Sequence, residues 1–273
     1  MARELANKFD KILRWLDKKS NYFLSHLASI TFFGFELIYW STVGWFKKKS
    51  FPRREIFRQM STAGVDTLPM VAMVALLVGV MLVLQTVYVL ERYGQREFVS
   101  GVVSVSMTRE FGPLLTAIIF TGRVGAAYTA ELGTMKVSEE LLALETMAIN
   151  PIAYLISPRL IAAVIAVPAL IILADYIGMF GGFLIATQYF GISQIGWDFV
   201  LKTFTKTREI WFGVQKGVLF AIIIITISCY KGFTVEGGGE QVGRATMQSV
   251  VICLVAIIFS DTLYTLLYNI LFR

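Results

Sequence analysis

Five long apolar stretches constrain the fold of this chain more than any other feature of its 273 residues. Each holds about the 20 mostly apolar residues that an α-helix needs to cross the hydrocarbon of a bilayer. They cover residues 68–90, 107–131, 160–190, 211–230 and 250–271. The chain is 56% hydrophobic and 16% charged, whereas a soluble domain carries about 25% charged residues. The sequence therefore predicts an all-α integral membrane protein with five transmembrane helices.

The first 60 residues are strongly basic, with 12 Lys or Arg against 5 Asp or Glu. Basic residues before a first span mark the cytoplasmic side of a membrane and are attracted to anionic lipid. We therefore expect a cytoplasmic N-terminus and a multi-pass topology. The net charge of +6 then reflects contact with the membrane surface, and nucleic acid is not an expected partner.

Residues 21–46 are apolar but interrupted by polar side chains, and Tyr39, Trp40 and Trp45 lie near their end. Aromatic residues in such a segment favour a helix that lies in the membrane interface. We therefore divide the chain into a basic region with an interfacial amphipathic helix, residues 1–60, and a five-span domain, residues 61–273. A sixth span over residues 21–46 is the alternative.

Residues 134–150 are too polar to cross a membrane and have the pattern of an amphipathic helix. The apolar positions are Val137, Leu141, Leu144 and Ala148, and the acidic ones are Glu139, Glu140 and Glu145. Ser138 is a plausible helix start, and Asn150 with Pro151 a stop. On the cytoplasmic side such a helix could dock a soluble subunit, although an ordinary surface helix also fits the pattern.

Charged residues inside the spans are costly in hydrocarbon and mark function or ion pairs. Arg109 and Glu110 are adjacent, so on a helix they point about 100° apart and have separate neighbours. For Lys216, near one end of the fourth span, a structural ion pair and a substrate role are both open. The remaining charges are expected to satisfy one another or helix ends; they are Arg123, Glu131, Asp175 and Asp261.

Gly122, Ala126 and Ala130 recur every four residues along the second span. Small residues at this spacing let another helix approach closely. A packing seam within one chain and a dimer interface both fit this stripe.

Motifs for chemistry are missing from the sequence. Gly237-Gly238-Gly239-Glu240 lacks the lysine and hydroxyl residue of a phosphate-binding loop, and no metal-ligand spacing or catalytic triad is found. We expect no enzyme activity and no metal or other cofactor in this chain. If it moves a substrate uphill, the energy comes from another subunit.

The run REFGPLLTAIIFTGRVGAAYTAELGTMKVSEELLALETMAINP, followed by SPR, resembles the signature of the MlaE (YrbE) permease family. The motifs GRAT and QKGVLF agree with it. These permeases are the membrane subunits of ABC transporters that work with MCE-domain proteins. The resemblance implies a homodimer in the bacterial inner membrane, with an N-terminal interfacial helix and a coupling helix. It also implies cytosolic ATPase subunits that bind ATP and Mg, a periplasmic MCE partner and a small STAS-type accessory subunit.

The resemblance further implies roles for particular residues. Residues 134–150 become the coupling helix, with ATPase contacts at Lys136, Glu139, Glu140, Leu141, Leu144 and Glu145. Arg109 and Glu110 fall on the Arg-Glu pair of the family run and would line a lipid pathway, joined by Lys216. The implied function is transport of phospholipids or related lipids between the inner membrane and the periplasmic partner. The alternatives are an ion-coupled secondary transporter using Asp175, Lys216 and Asp261, and a scaffold that transports nothing.

Overall fold

The computed structural model describes residues 28–42 and 53–271, and the regular structure in that part of the chain is helical, without strands. Five helical stretches are long and apolar enough to cross a membrane. They are Arg54–Arg92, Arg96–Val137, Ile152–Gln188, Thr207–Phe233 and Gly239–Leu271. The predicted all-α, five-span architecture is confirmed, and the chain is a multi-pass membrane protein.

The first half of the described chain contains six helices and two π-helical turns. Residues 28–42 form α1, Arg53–Ala63 α2 and Leu68–Arg92 α3. The second span is one rod made of α4 (Val99–Ser106), α5 (Gly112–Phe120) and α6 (Ala126–Val137), joined by the π-helical turns Met107–Phe111 and Thr121–Gly125.

The second half alternates short surface helices with long spans. In chain order these are α7 (Glu140–Thr146), α8 (Ser157–Gln188), α9 (Gln194–Phe204), α10 (Thr207–Phe233) and α11 (Gly239–Leu271). Because successive spans run in opposite directions, α7 and α9 lie on opposite faces of the bundle. We call these the α7 face and the α9 face.

Glycines bring α3 and α8 into backbone contact at the centre of the bundle. A Cβ atom added to Gly79 would lie 1.8 Å from the carbonyl oxygen of Gly178, and one added to Gly182 would lie 2.9 Å from Val83. Only a residue without a side chain permits this approach. Gly178 and Gly182 therefore belong to a packing seam within the chain.

The helices extend beyond several predicted spans, and one helix was not predicted. The second span begins at Arg96 instead of residue 107, and α11 begins at Gly239 instead of residue 250. Hydropathy detects only the apolar part of a helix, whereas the hydrogen-bonded backbone continues through polar residues such as Glu240 and Arg244. The segment between the third and fourth predicted spans contains α9, which buries Trp197 and Val200.

The α1 helix falls inside the predicted interfacial segment 21–46. Its Phe33 ring lies 5.7 Å from the ring of Tyr230 and 6.0 Å from that of Phe233, near the end of α10 on the α7 face. The rest of that segment and most of the basic region 1–60 lie outside the described residues, so the choice between an interfacial helix and a sixth span stays a prediction.

A single methyl group tests the α3–α8 contact. We expect Gly79→Ala to lower stability by about 1–3 kcal/mol, because the new methyl overlaps a backbone oxygen that cannot move aside. Gly243→Ala is the matched control, since nothing lies within 4 Å of a Cβ atom built there. The midpoint of thermal unfolding in detergent should fall only for Gly79→Ala. Equal midpoints would show that the two helices are not in backbone contact.

Candidate functional site

The site begins with a proline in the second span. Pro113 has no N–H group to bond the carbonyl of Arg109 four residues earlier, and the helix passes through the π-helical turn Met107–Phe111 just before it. The Gly112 N–H bonds the Met107 carbonyl instead. The freed Arg109 oxygen accepts a hydrogen bond from Lys216 Nζ at 2.9 Å. A break in one helix is thus repaired by a lysine from another.

Lys216 is fully buried and is held between two carboxylates. Its Nζ lies 2.8 Å from Glu110 Oε2 and 2.7 Å from Asp261 Oδ1. Thr265 donates a hydrogen bond of 3.2 Å to the other oxygen of Glu110. We call Lys216, Glu110 and Asp261 the lysine triad. Since a buried cation is stable only when paired, the triad ties the second span to α10 and α11.

Arg109 has its own set of partners. Its Nε lies 3.3 Å from Glu209 Oε2, and its guanidinium carbon lies 4.9 Å from the centre of the Phe212 ring and 5.9 Å from that of Tyr268. The Nη2 group also donates to Asn269 at 3.4 Å. Arg109 and Glu110 therefore have separate partners, as their adjacent positions predict.

A cavity of about 630 Å³ lies against the triad. It is lined by Glu110, Asp261, Thr262, Thr265, Leu266, Asn269 and Ile270. The lining combines carboxylates, hydroxyls and an amide with aliphatic side chains, which suits the polar end of an amphiphilic molecule better than a wholly apolar one. In the described part of the chain, no three or more His, Cys, Asp or Glu residues are grouped to hold a metal ion.

The cavity adjoins an unusually exposed helix. Large apolar side chains of α11 point away from the bundle at spacings of three and four residues. They include Met247, Val251, Val255, Ile258, Phe259, Leu263, Leu266 and Ile270. Six of the seven lining residues lie on α11, so this exposed helix is one wall of the cavity, and only Glu110 of the second span lines it from elsewhere in the described part of the chain.

The structure thus brings together all three predicted lipid-pathway residues, Arg109, Glu110 and Lys216. Sequence reasoning assigned no site role in this pathway to Asp261 or Asn269. Asp261 could have been found from its depth in the membrane, which is similar to that of Lys216 in the neighbouring span. Lys216 lies nine residues after the first residue of α10, and Asp261 lies ten residues before the last residue of α11.

Asp175 lies apart from the triad. Its buried Oδ1 has no hydrogen-bond partner among the described residues and faces Gly112, where an added Cβ atom would lie 1.8 Å from that oxygen. An ion relay through Asp175, Lys216 and Asp261 is therefore only partly assembled, since Lys216 and Asp261 touch and Asp175 packs against a glycine.

Arg123 anchors the second span to the junction of α2 and α3. Its Nη1 donates to Thr67 Oγ1 at 2.5 Å and to the Thr62 carbonyl at 3.5 Å, and its Nη2 lies 3.9 Å from Asp66. Three of the four remaining charges thus satisfy other groups rather than one another: Arg123 binds this junction, Glu131 pairs with Arg159, and Asp261 pairs with Lys216.

The small-residue stripe of the second span is open. Nothing lies within 4 Å of a Cβ atom built on Gly122, and Ala126 and Ala130 are half-buried. The stripe is not closed by another helix of the described chain, and its role in a dimer stays a prediction.

The predicted helix over residues 134–150 is wrong in its bounds. The first residues of that prediction, up to Val137, belong to the end of α6. Glu139, with a φ of 59°, then separates α6 from α7. After α7 the chain turns at Ala148, with a φ of 58°, where the N–H groups of Ala148 and Ile149 bond the Glu145 and Leu144 carbonyls. The side chain of Asn150 accepts hydrogen bonds from Ile152 and Ala153, so it begins the next helical segment.

Most predicted coupling residues face outward. Those exposed are Lys136, Glu139, Glu140 and Glu145. Leu144 is half-buried, whereas Leu141 is only 2% exposed and packs into this chain. The apolar side chains that α7 and its C-terminal turn present outward are Leu142 and Met147, 55% and 61% exposed. Sequence reasoning missed them because it assigned the apolar positions Leu141 and Leu144 to the ATPase, whereas that side of α7 packs into this chain and Leu142 lies outside it.

Comparison with known proteins places this geometry in a family. The family model described as Permease MlaE matches residues 56–267. A probable ABC transporter permease protein of Rickettsia typhi is 38% identical over 210 residues, which is 77% of this chain and 81% of the relative. The intermembrane phospholipid transport system permease protein MlaE of Haemophilus influenzae is 34% identical over 219 residues, 80% of this chain and 83% of the relative. The chain therefore belongs to the MlaE permease family.

Proposed function

We propose that this chain is the membrane permease subunit of an ABC transporter that moves phospholipids or related lipids. In this proposal it works between the bacterial inner membrane and a periplasmic MCE-domain partner. The observation that carries the proposal is the cavity beside the lysine triad, which places charged groups inside a span and opens onto the apolar face of α11. An amphipathic lipid needs both environments at once.

The lipid pathway in this proposal includes Arg109, Glu110 and Lys216, together with Asp261. Polar groups of a lipid headgroup would meet Glu110, Asn269 and the nearby Arg109, while acyl chains would lie along the exposed aliphatic residues of α11. Lys216 holds the two carboxylates in place from behind, since it is fully buried and does not line the cavity.

A second copy of the chain would supply a further wall. The exposed apolar side of α11 lies beside the second span, which carries the open stripe Gly122, Ala126 and Ala130. Small residues there would let the helices of two copies approach closely. The proposed working unit is a homodimer with the lipid cavity between its two copies.

In this proposal the ATPase subunits bind the α7 face. This face lies on the same side of the membrane as the basic N-terminal region, which is the expected cytoplasmic side. Leu142 and Met147 are exposed apolar side chains of a short segment that also exposes the acidic residues Glu139, Glu140 and Glu145. Such a surface suits a groove on a cytosolic ATPase subunit, which would bind ATP and Mg and carry out hydrolysis. A STAS-type accessory subunit remains a further proposed partner.

Neutralising the triad separates its role in folding from its role in transport. We expect Lys216→Met to lower stability by about 3 kcal/mol, because two carboxylates are left without their cation. The triple variant Lys216→Met, Glu110→Gln, Asp261→Asn should recover most of the stability, since no buried charge is then left unpaired. Its ATP-dependent lipid transfer in proteoliposomes should nonetheless fall by about tenfold or more.

The matched control is Glu240→Gln, the same loss of charge at the other end of α11, where the side chain is exposed. Its unfolding midpoint and lipid transfer should both equal those of the unaltered protein. A triple variant that folds and transfers lipid at the normal rate would rule out the proposed pathway.

Adjacent leucines test the ATPase-docking surface. Leu142→Asp should abolish co-purification of the ATPase subunit. The free energy of unfolding of the permease should change by no more than about 0.5 kcal/mol, because this side chain is exposed. Leu141→Asp should instead destabilise the permease itself, since a buried position would receive an unpaired charge. Normal ATPase assembly with Leu142→Asp would contradict a docking role for α7.

A further inference from the structure

A buried arginine stands at the start of α8, on the α7 face, and the proposed pathway makes no use of it. Arg159 is 2% exposed, and its Nη2 lies 2.8 Å from Glu131 Oε1 of α6. Its guanidinium carbon lies 5.0 Å from the centre of the Tyr128 ring, also on α6. Nε and Nη1 have no hydrogen-bond partner in the described part of the chain. Breaking the pair would leave the buried guanidinium without its anion, so the pair holds the start of α8 against α6.

The same group of side chains extends to α2. Tyr128 donates a hydrogen bond of 2.8 Å to Gln59 Oε1, and Gln59 Nε2 donates one of 2.8 Å to Glu55 Oε1. Gln59 and Tyr128 are both buried. Three helices are therefore joined at one level by directional polar contacts, which fix relative position more narrowly than apolar packing does.

The position of this group in the chain gives it a consequence for coupling. Glu131 lies in α6 before α7, and Arg159 lies in α8 after it. The ion pair therefore joins the two ends of the segment that carries α7. A displacement of α7 reaches the bundle through these two ends and through the buried side chain of Leu141. While the ion pair joins these two ends, the displacement moves α6, α8 and α2 together. Without the ion pair, α7 can move while only the segments that connect it to α6 and α8 bend.

We propose that Glu131, Arg159, Tyr128 and Gln59 form a clamp that converts movement of α7 into movement of α2, α6 and α8 as one body. These are positioning residues, which touch neither nucleotide nor lipid. The inference rests on the proposed function, because it assigns the clamp to the coupling of ATP hydrolysis to lipid movement. The second span carries both α6 and Glu110 of the lysine triad in one rod, so the clamp is the point where movement of α7 is passed to this rod.

The test measures lipid transferred per ATP hydrolysed by the full complex with its ATPase subunits in proteoliposomes. Glu131→Gln keeps the size of the side chain, which is half exposed, and removes its charge. We expect ATPase assembly and the ATP hydrolysis rate to stay normal, while lipid transferred per ATP falls on the order of tenfold. A purely structural role would lower assembly or stability without changing this ratio. A normal ratio in the assembled variant overturns the clamp.

The control is Glu240→Gln, which removes an ion pair of similar length, 2.6 Å to Arg244, on the same face. That pair lies within one helix and joins no two elements, so the ratio should not change. If Glu131→Gln fails to assemble, Tyr128→Phe decides the matter, because it removes only the hydroxyl that binds Gln59. A several-fold lower ratio is expected, and a normal one overturns the proposal. Absence of ATP-dependent transfer by the unaltered complex would instead contradict the proposed function.

Discussion

The buried ammonium of Lys216 is the interaction on which the arrangement of this site depends. It satisfies two carboxylates and the carbonyl that Pro113 leaves without a partner. Removing it would leave all three acceptors without their donor, which is costly for the buried groups among them. The lysine therefore fixes the second span against α10 and α11 at the depth where the cavity forms. It also holds Glu110 and Asp261 in the lining of that cavity.

The second span connects this site with the opposite face of the protein. Its π-helical turns place Arg109 and Glu110 toward α10 and α11, and Arg123 toward the α2–α3 junction. At the far end, Glu131 and Tyr128 join it to α8 and α2. One rod thus carries some groups of the proposed lipid pathway and some of the proposed clamp. In this account, movement of α7 displaces the second span, and this displacement changes the shape of the cavity. No further series of side-chain contacts between α7 and the cavity is needed.

Much of the fold was predictable because each span has a continuous apolar run, and composition alone identifies such runs. The grouping of Arg109, Glu110 and Lys216 was predictable only through the family resemblance, since no local spacing brings residues 110 and 216 together. Partners such as Asp261 and Asn269 depend on how helices rotate about their axes, which apolar sequences do not specify. The bounds of α7 failed because Glu139 adopts a left-handed conformation that its sequence does not signal. The exposed Leu142 was missed because an amphipathic pattern does not say whether its apolar side faces a partner or the chain itself, and here the side with Leu141 packs into the chain.

The central claim is that lipid enters the cavity beside the lysine triad during the ATP cycle. Photo-crosslinking tests this most directly, with a photoreactive amino acid at Thr262, which lines the cavity, and at Ile172, which is exposed on α8. Both variants would be assembled with the ATPase subunits in phospholipid vesicles, and lipid adducts would be measured by mass spectrometry. The account predicts that adducts at position 262 change in amount when ATP is added, whereas those at position 172 do not. Equal, ATP-independent adducts at the two positions would contradict it.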